Sequence, residues 1–275
     1  MRALPVASLD DPRVADYRNV RDADLRVRDG LFMTEGCLNV KRLITVSPYQ
    51  TRSVFVTEAG LRGILPAVER LDAATPVYVA SQALLNAVVG YAMHRGCLAA
   101  GERGPEPSLE AFLGVDPERP RTLLVLEDVC SSENVGAVFR NALAFGADGV
   151  VLTRRSVDPL YRRSIRVSMG ASLRVPYARA DDGPTAQRAL RRAGFTSIAL
   201  TTSSSATPLA RCTDPPRRLA LWLGSEGEGL SEAALGGVER RVTIPMQQGT
   251  DSLNVATASG IALHHFRALA GTPQR

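Results

Sequence analysis

Three segments in the second half of the 275-residue chain carry residues able to position and polarise reacting groups. The first is Asn134-Val135-Gly136-Ala137-Val138-Phe139-Arg140-Asn141-Ala142. Its apolar residues at 135, 138, 139, 142 and 143 recur at helical spacing, so one amphipathic helix or its cap presents both an amide and a guanidinium. Six positions at about 100° each set Arg140 at a different azimuth from Asn134, and the two converge only if Asn134 lies in the preceding loop or cap. The second is Leu221-Trp222-Leu223-Gly224-Ser225-Glu226-Gly227-Glu228-Gly229-Leu230, where three glycines let backbone approach a ligand and Glu226 sits among them. Its order is GxxGxG rather than the GxGxxG of a dinucleotide site, and it comes near the end of the chain, not after the first strand. The third runs from Thr243-Ile244-Pro245-Met246 to Ser252-Leu253-Asn254-Val255-Ala256. Ser252 reads as a helix N-cap, which leaves Asn254 poorly explained by capping. The helix after it opens with Ala256, Thr257, Ala258, Ser259 and Gly260, small enough for another backbone to come close. Taken singly, each segment is also readable as a plain helix cap or a glycine-rich turn.

The elements that must hold these segments are legible as short apolar runs. Residues 122–126, 149–153, 196–200 and 219–223 are continuous apolar stretches, the pattern of strands buried on both faces. Separated by helix-like periods, they predict an α/β fold with a parallel sheet and helices on both sides. The first hundred residues repeat this on a smaller scale, with strands expected at 53–57 and 76–79 and helices at 35–46 and 59–71. Between the two parts, residues 105–118 hold three prolines and four acidic residues but no basic one, and read as a linker. The predicted organisation is therefore a small α/β domain over 1–104, a linker over 105–118 and a larger α/β domain over 119–275.

Charge is distributed unevenly. Residues 1–104 carry 13 basic and 11 acidic side chains, whereas residues 119–275 carry 20 and 13. Lys41 is the single lysine among 33 basic residues. GC-rich coding accounts for a preference for arginine, but not for where the arginines fall. Seven lie between 154 and 179 (154, 155, 162, 163, 166, 174, 179) against one acid, Asp158, which suggests guanidinium forks for a polyanion. No apolar run reaches the ~18 residues of a membrane span, and the N-terminus has no apolar leader core. Cys37, Cys97, Cys130 and Cys212 are scattered singly, against a zinc knuckle, a CxxC pair or a disulfide framework, so a reducing cytoplasm is expected. His94, His264 and His265 are too few and too badly spaced for a metal site, and the adjacent pair reads as a surface feature.

Taken in order, the three segments resemble the SpoU (TrmH-like) branch of the SPOUT class of RNA ribose methyltransferases. The likeness rests on N-x-G-x-x-x-R-x-A at 134–142, G-x-E-x-x-G-L at 224–230, and I-P-M at 244–246 followed by S-L-N-V at 252–255. It extends more faintly to Phe32-Met33-Thr34-Glu35-Gly36 and His94-Arg95-Gly96, which look like the substrate-binding domain attached to many members, with Arg95 where glutamine is common. The resemblance implies a C-terminal sheet closed by a deep trefoil knot, with S-adenosylmethionine held there by Thr201, Gly224, Ile244, Met246 and Leu253. It implies a homodimer whose active site forms at the subunit interface. It also implies that Arg140 activates a ribose 2′-hydroxyl, while Asn134, Glu226, Ser252 and Asn254 orient the arginine, the ribose and the cofactor carboxylate. Arg162, Arg163 and Arg166, the last within Arg166-Val167-Ser168-Met169-Gly170-Ala171, would track RNA backbone. Ribosomal RNA is the favoured substrate, because a separate N-terminal domain accompanies such members. The alternatives are a tRNA 2′-O-methyltransferase and an RNA-binding relative that has lost the chemistry. No metal and no membrane enter this expectation.

Overall fold

Alternating apolar runs and helical periods fold, in the computed structural model, into two α/β units, and the structure describes residues 3–269 apart from 19–21, 23, 25–29, 94 and 95. One unit comprises Met1–Pro105 with Pro159–Arg174, the other Glu106–Asp158 with Val175–Arg275. His94 and Arg95 of the faint N-terminal resemblance lie outside the described residues.

In the first unit, strands β1 (Ala3–Pro5), β2 (Leu31–Glu35), β3 (Gln50–Val56), β4 (Val77–Val79) and β5 (Cys97–Glu102) form one sheet in the order β1-β4-β3-β5-β2. The sheet is mixed: β1, β4 and β3 run parallel, and β5 lies antiparallel to both β3 and β2. Helix α1 (Cys37–Val46) begins two residues later than the sequence suggests, because Glu35 completes β2 and Gly36, at φ 88°, makes the turn. Helix α2 (Glu58–Val68) is capped by Thr57 and α3 (Gln82–Val89) by Ser81, each hydroxyl accepting a backbone N–H of the first turn. Leu31, Met33, Phe55, Leu85 and Leu98 belong to its core.

The second unit carries a seven-stranded sheet of β6 (Arg121–Leu126), β7 (Gly149–Thr153), β8 (Tyr177–Ala180), β9 (Thr196–Leu200), β10 (Thr207–Pro208), β11 (Arg218–Leu223) and β12 (Arg240–Thr243). Its order is β10-β12-β9-β11-β6-β7-β8, and every neighbouring pair is parallel. Helices α4 (Leu109–Leu113), α7 (Gly183–Arg192) and α8 (Glu232–Gly237) supply Phe112, Leu113, Ala186, Leu190 and Ala234 to a core shared with Leu123, Val125, Val151, Ala199, Ala220 and Trp222. Helix α5 (Ser132–Phe145) packs against α9 (Val255–Leu269). There the small residues of α9 have a specific use: Asn141 on α5 donates to Ala256 O at 2.6 Å and to Ser259 Oγ at 2.9 Å, with Gly260 beside it.

Residues 105–118, expected as a linker, contain α4, whose Leu109, Phe112 and Leu113 are buried. Two arginines at the amino ends of adjacent strands hold this segment. Arg121 donates to Phe112 O and Leu113 O at 3.1 and 3.2 Å, and Arg218 to Leu113 O, Asp116 O and Pro117 O at 3.1, 3.0 and 2.8 Å. Cationic forks on the carbonyls that end a helix satisfy its orphan acceptors and its dipole. Arg218 also stacks over Phe195 at 4.3 Å. Arg218→Ala is therefore expected to destabilise the fold by about 2–4 kcal/mol, read as a lower urea midpoint at unchanged slope.

Candidate active site

Because β9, β11 and β12 run parallel, their carboxyl ends emerge on one edge of the sheet, where ligands of open α/β sheets bind. The loops that follow them enclose a cavity of about 610 Å³, within the range of small-ligand sites. Thr201 lines it after β9, Gly224 and Glu226 after β11, and Ile244, Met246, Ser252, Leu253 and Asn254 between β12 and α9.

The β11 loop is folded tightly. Ser225 and Gly229 exchange two backbone hydrogen bonds of 3.1 Å, and a Cβ at Gly224 would overlap the backbone of Gly229 and Leu230. Glycine at 224 is thus required by close backbone approach.

On the neighbouring strand, Asp128 turns the chain off β6 in a left-handed conformation (φ 55°), fixed by Thr153 Oγ1, which donates to Asp128 Oδ1 at 2.8 Å and accepts from its N–H at 2.9 Å. The chain then enters α5 with Ser131 as N-cap, its hydroxyl accepting from Asn134 N at 3.3 Å. Asn134 therefore sits inside the first turn of α5, not in the loop before it. From there Asn134 Nδ2 donates to Glu226 Oε1, and Asn134 Oδ1 accepts from Asn254 Nδ2 at 2.9 Å. Asn254 Oδ1 in turn accepts from Ala256 N at 2.9 Å, so Asn254, and not Ser252, caps α9. One residue from each of the three segments meets in a single chain of hydrogen bonds, Glu226–Asn134–Asn254, two of whose members line the cavity.

A model of the SpoU rRNA methylase family matches residues 121–264, more than half the chain and all of this constellation. The chain belongs to that family. A Mycobacterium tuberculosis protein named as an uncharacterized tRNA/rRNA methyltransferase is 41% identical over 265 residues, covering 94% of this chain and 90% of the relative. The 23S rRNA guanosine-2′-O-methyltransferase RlmB of a Burkholderia species is 34% identical over 180 residues, covering 65% of this chain and 72% of its own. An AdoMet-bound rRNA methyltransferase from Sinorhizobium meliloti has the same fold, with a TM-score of 0.81, 24% identity and coverage of 97% and 98%.

Arg140 of this SpoU family member stands apart from the Glu226–Asn134–Asn254 chain. It is exposed, six residues along α5 from Asn134, and has no hydrogen-bond or ion-pair partner among the described residues. The arginine run differs from a bare cationic patch because acids from elsewhere in the chain reach it. Arg162 pairs with Asp22 at 3.1 Å and Arg166 with Glu35 at 3.1 Å, both within the first unit, where Arg162 and Arg163 open α6 (Arg162–Val167). Arg155 pairs with Asp128 at 3.2 Å, and Arg179 is a half-buried partner of Asp158 at 3.2 Å. His265, expected at the surface, is half-buried with Nε2 2.9 Å from Cys212 O. Sequence reasoning missed Thr202, Thr243 and Asp251 on the cavity wall. No group of metal-ligating side chains occurs among the described residues, nor any helix long and apolar enough to cross a membrane.

Proposed function

We propose that the protein is an S-adenosylmethionine-dependent RNA methyltransferase acting on a ribose 2′-hydroxyl, with ribosomal RNA as the substrate. The observation that carries this reading is the meeting of Glu226, Asn134 and Asn254 at a cavity formed by the three loops that follow β9, β11 and β12. That cavity suits the cofactor: backbone can approach it at Gly224, Ile244, Met246 and Leu253 supply apolar surface, and Thr201 and Ser252 supply hydroxyls. Bound there, S-adenosylmethionine supplies an electrophilic methyl group on a sulfonium. The trefoil knot expected of the SPOUT fold is part of this reading, supported by the place of β11 between β9 and β6 and by the loops after β9, β11 and β12 that line one cavity.

The residues then divide the work of alignment and charge placement. Asn134 accepts from one side and donates on the other, so it fixes the Glu226 carboxylate relative to the start of α9. Arg140 is not a general base, since a guanidinium gives up no proton in a protein and serves only as a donor. Its fork binds the phosphate next to the target ribose and polarises the hydroxyl, whose proton passes to a phosphate oxygen or water. Arg162, Arg163 and Arg166 contact RNA backbone; the side chain of Arg166 is 58% exposed, and an ion pair so placed is worth about 0–1 kcal/mol, little enough for phosphate to compete. The active form is a homodimer in which Arg140 of one protomer serves the cavity of its partner. Six residues of helix put Arg140 about 9 Å along and about 120° around α5 from Asn134, and Arg140 is not among the residues that line the cavity of its own protomer.

Mapping 2′-O-methylation on ribosomal RNA and tRNA from cells with and without the protein tests the reading. One ribosomal 2′-O-methyl dependent on the protein is expected. A dependent methyl on tRNA moves the substrate, and one on a base overturns the ribose assignment.

A further inference from the structure

The glycine-rich loop that carries Glu226 is tied at both ends to one residue that lies outside all three motifs. Glu127 is the first residue after β6 and only 6% exposed, rare for a carboxylate. Its backbone N–H donates to Leu223 O at 2.9 Å, immediately before the loop begins at Gly224. Its carboxylate takes both donors of Ser231, immediately after the loop ends at Leu230: Ser231 N donates to Oε2 at 2.9 Å and Ser231 Oγ to Oε1 at 2.8 Å. Ser231 is also the N-cap of α8, its hydroxyl accepting from Ala234 N at 3.1 Å. Space for the carboxylate comes from Gly183 at the start of α7, where a Cβ would overlap it.

We infer that Glu127 is a positioning residue for methyl transfer: a staple that closes the base of the 224–230 loop and thereby sets Gly224 against the cofactor and Glu226 against Asn134. The inference rests on the proposed use of the cavity for S-adenosylmethionine. Without the staple the loop keeps its internal Ser225–Gly229 bonds but is free to swing as a unit about Leu223 and Ser231. A carboxylate suits this place because it accepts two hydrogen bonds side by side, whereas an amide of the same size presents one acceptor and one donor. A role in binding RNA does not follow, since Glu127 is buried between α7 and α8.

The test measures S-adenosylmethionine affinity by calorimetry, KM and kcat for both substrates, and the emission of Trp222, the single tryptophan, buried on β11 beside the staple. Glu127→Gln is expected to weaken cofactor affinity and raise the cofactor KM about tenfold, with RNA affinity within about twofold of wild type and Trp222 emission unchanged. Ser231→Ala is expected to lose about threefold to fivefold and Ser231→Thr, which keeps the hydroxyl, to restore it; the double variant Glu127→Gln/Ser231→Ala loses no more than Glu127→Gln alone, because both act through the same bonds. Unchanged cofactor affinity in Glu127→Gln overturns the staple. If that variant does not fold, equal affinity in Ser231→Ala and Ser231→Thr overturns it instead. A wild-type chain that binds no S-adenosylmethionine overturns the reading of the cavity and the staple with it, whereas binding by wild type and Glu127→Gln alike overturns the staple alone.

Discussion

Gly224→Ala is expected to lower S-adenosylmethionine affinity at least about 100-fold, near 2.8 kcal/mol at 1.4 kcal/mol per decade. The added methyl would fall on the backbone of Gly229 and Leu230, which have no rotamer to give way with. The loop must open, so the two Ser225–Gly229 hydrogen bonds break and the wall of the cavity formed by 224–230 moves outward. Overpacking of this kind costs about 1–3 kcal/mol of fold stability, small enough for the variant to remain folded. Gly236→Ala, at an exposed position of α8 where a Cβ meets nothing within 4 Å, serves as the comparison and is expected to bind the cofactor normally. Calorimetric titration of the two variants decides the matter: undiminished affinity in Gly224→Ala means that S-adenosylmethionine does not occupy this cavity.

The reason Gly224 was readable in the sequence while Glu127 was not lies in how each makes its contacts. A glycine-rich run after an apolar strand advertises backbone approach within a few residues, so the loop and its proximity to a ligand are local information. Glu127 acts on Ser231, more than a hundred positions away, and nothing in Leu126-Glu127-Asp128 distinguishes a buried staple from a surface acid. The strands divide in the same way. The four runs predicted from apolar continuity became β9, β11, β6 and β7, four successive strands inside the sheet whose side chains are buried on both faces. Strands β8, β10 and β12 escaped notice because they lie farther out and include Arg179, Arg240 and Arg241 or only two residues.

Long-range pairing also explains the two larger departures. Residues 105–118 look like a linker in a one-dimensional charge count, yet Arg121 and Arg218, acting from the ends of β6 and β11, turn their carbonyls into an acceptor set and fix α4 against the core. The arginine run looks unopposed only while its neighbours are counted along the chain; Asp22 and Glu35 arrive from the other end of the sequence. Asn254 is the instructive case at the site. Its role as N-cap of α9 is ordinary chemistry, but the same side chain spends its amide donor on Asn134, so a capping residue doubles as a link between the third segment and the first.

Arg140→Ala is expected to slow single-turnover methyl transfer about 10²- to 10³-fold, the usual loss when one preorganised donor to developing charge is removed. Cofactor affinity should not change, because Arg140 does not line the cavity. What sets Arg140 apart from the two asparagines of α5 is that their side chains are occupied: Asn134 with Glu226 and Asn254, and Asn141 with Ala256 and Ser259. An exposed fork with no partner among the described residues is available for phosphate. Loss of one phosphate contact should reduce the salt slope of RNA binding by about 0.7. Arg140→Lys separates the two functions of the side chain: it keeps the charge, so the salt slope is retained, but it loses the planar fork, so transfer stays well below wild type. Near-normal transfer in that variant would exclude the phosphate clamp. Hybrid dimers then decide which cavity the arginine serves. In a hybrid of Arg140→Ala and Gly224→Ala protomers, an arginine acting across the interface leaves one site intact, and random mixing restores about a quarter of wild-type sites. An arginine acting within its own protomer leaves both sites damaged, and the mixture stays inactive.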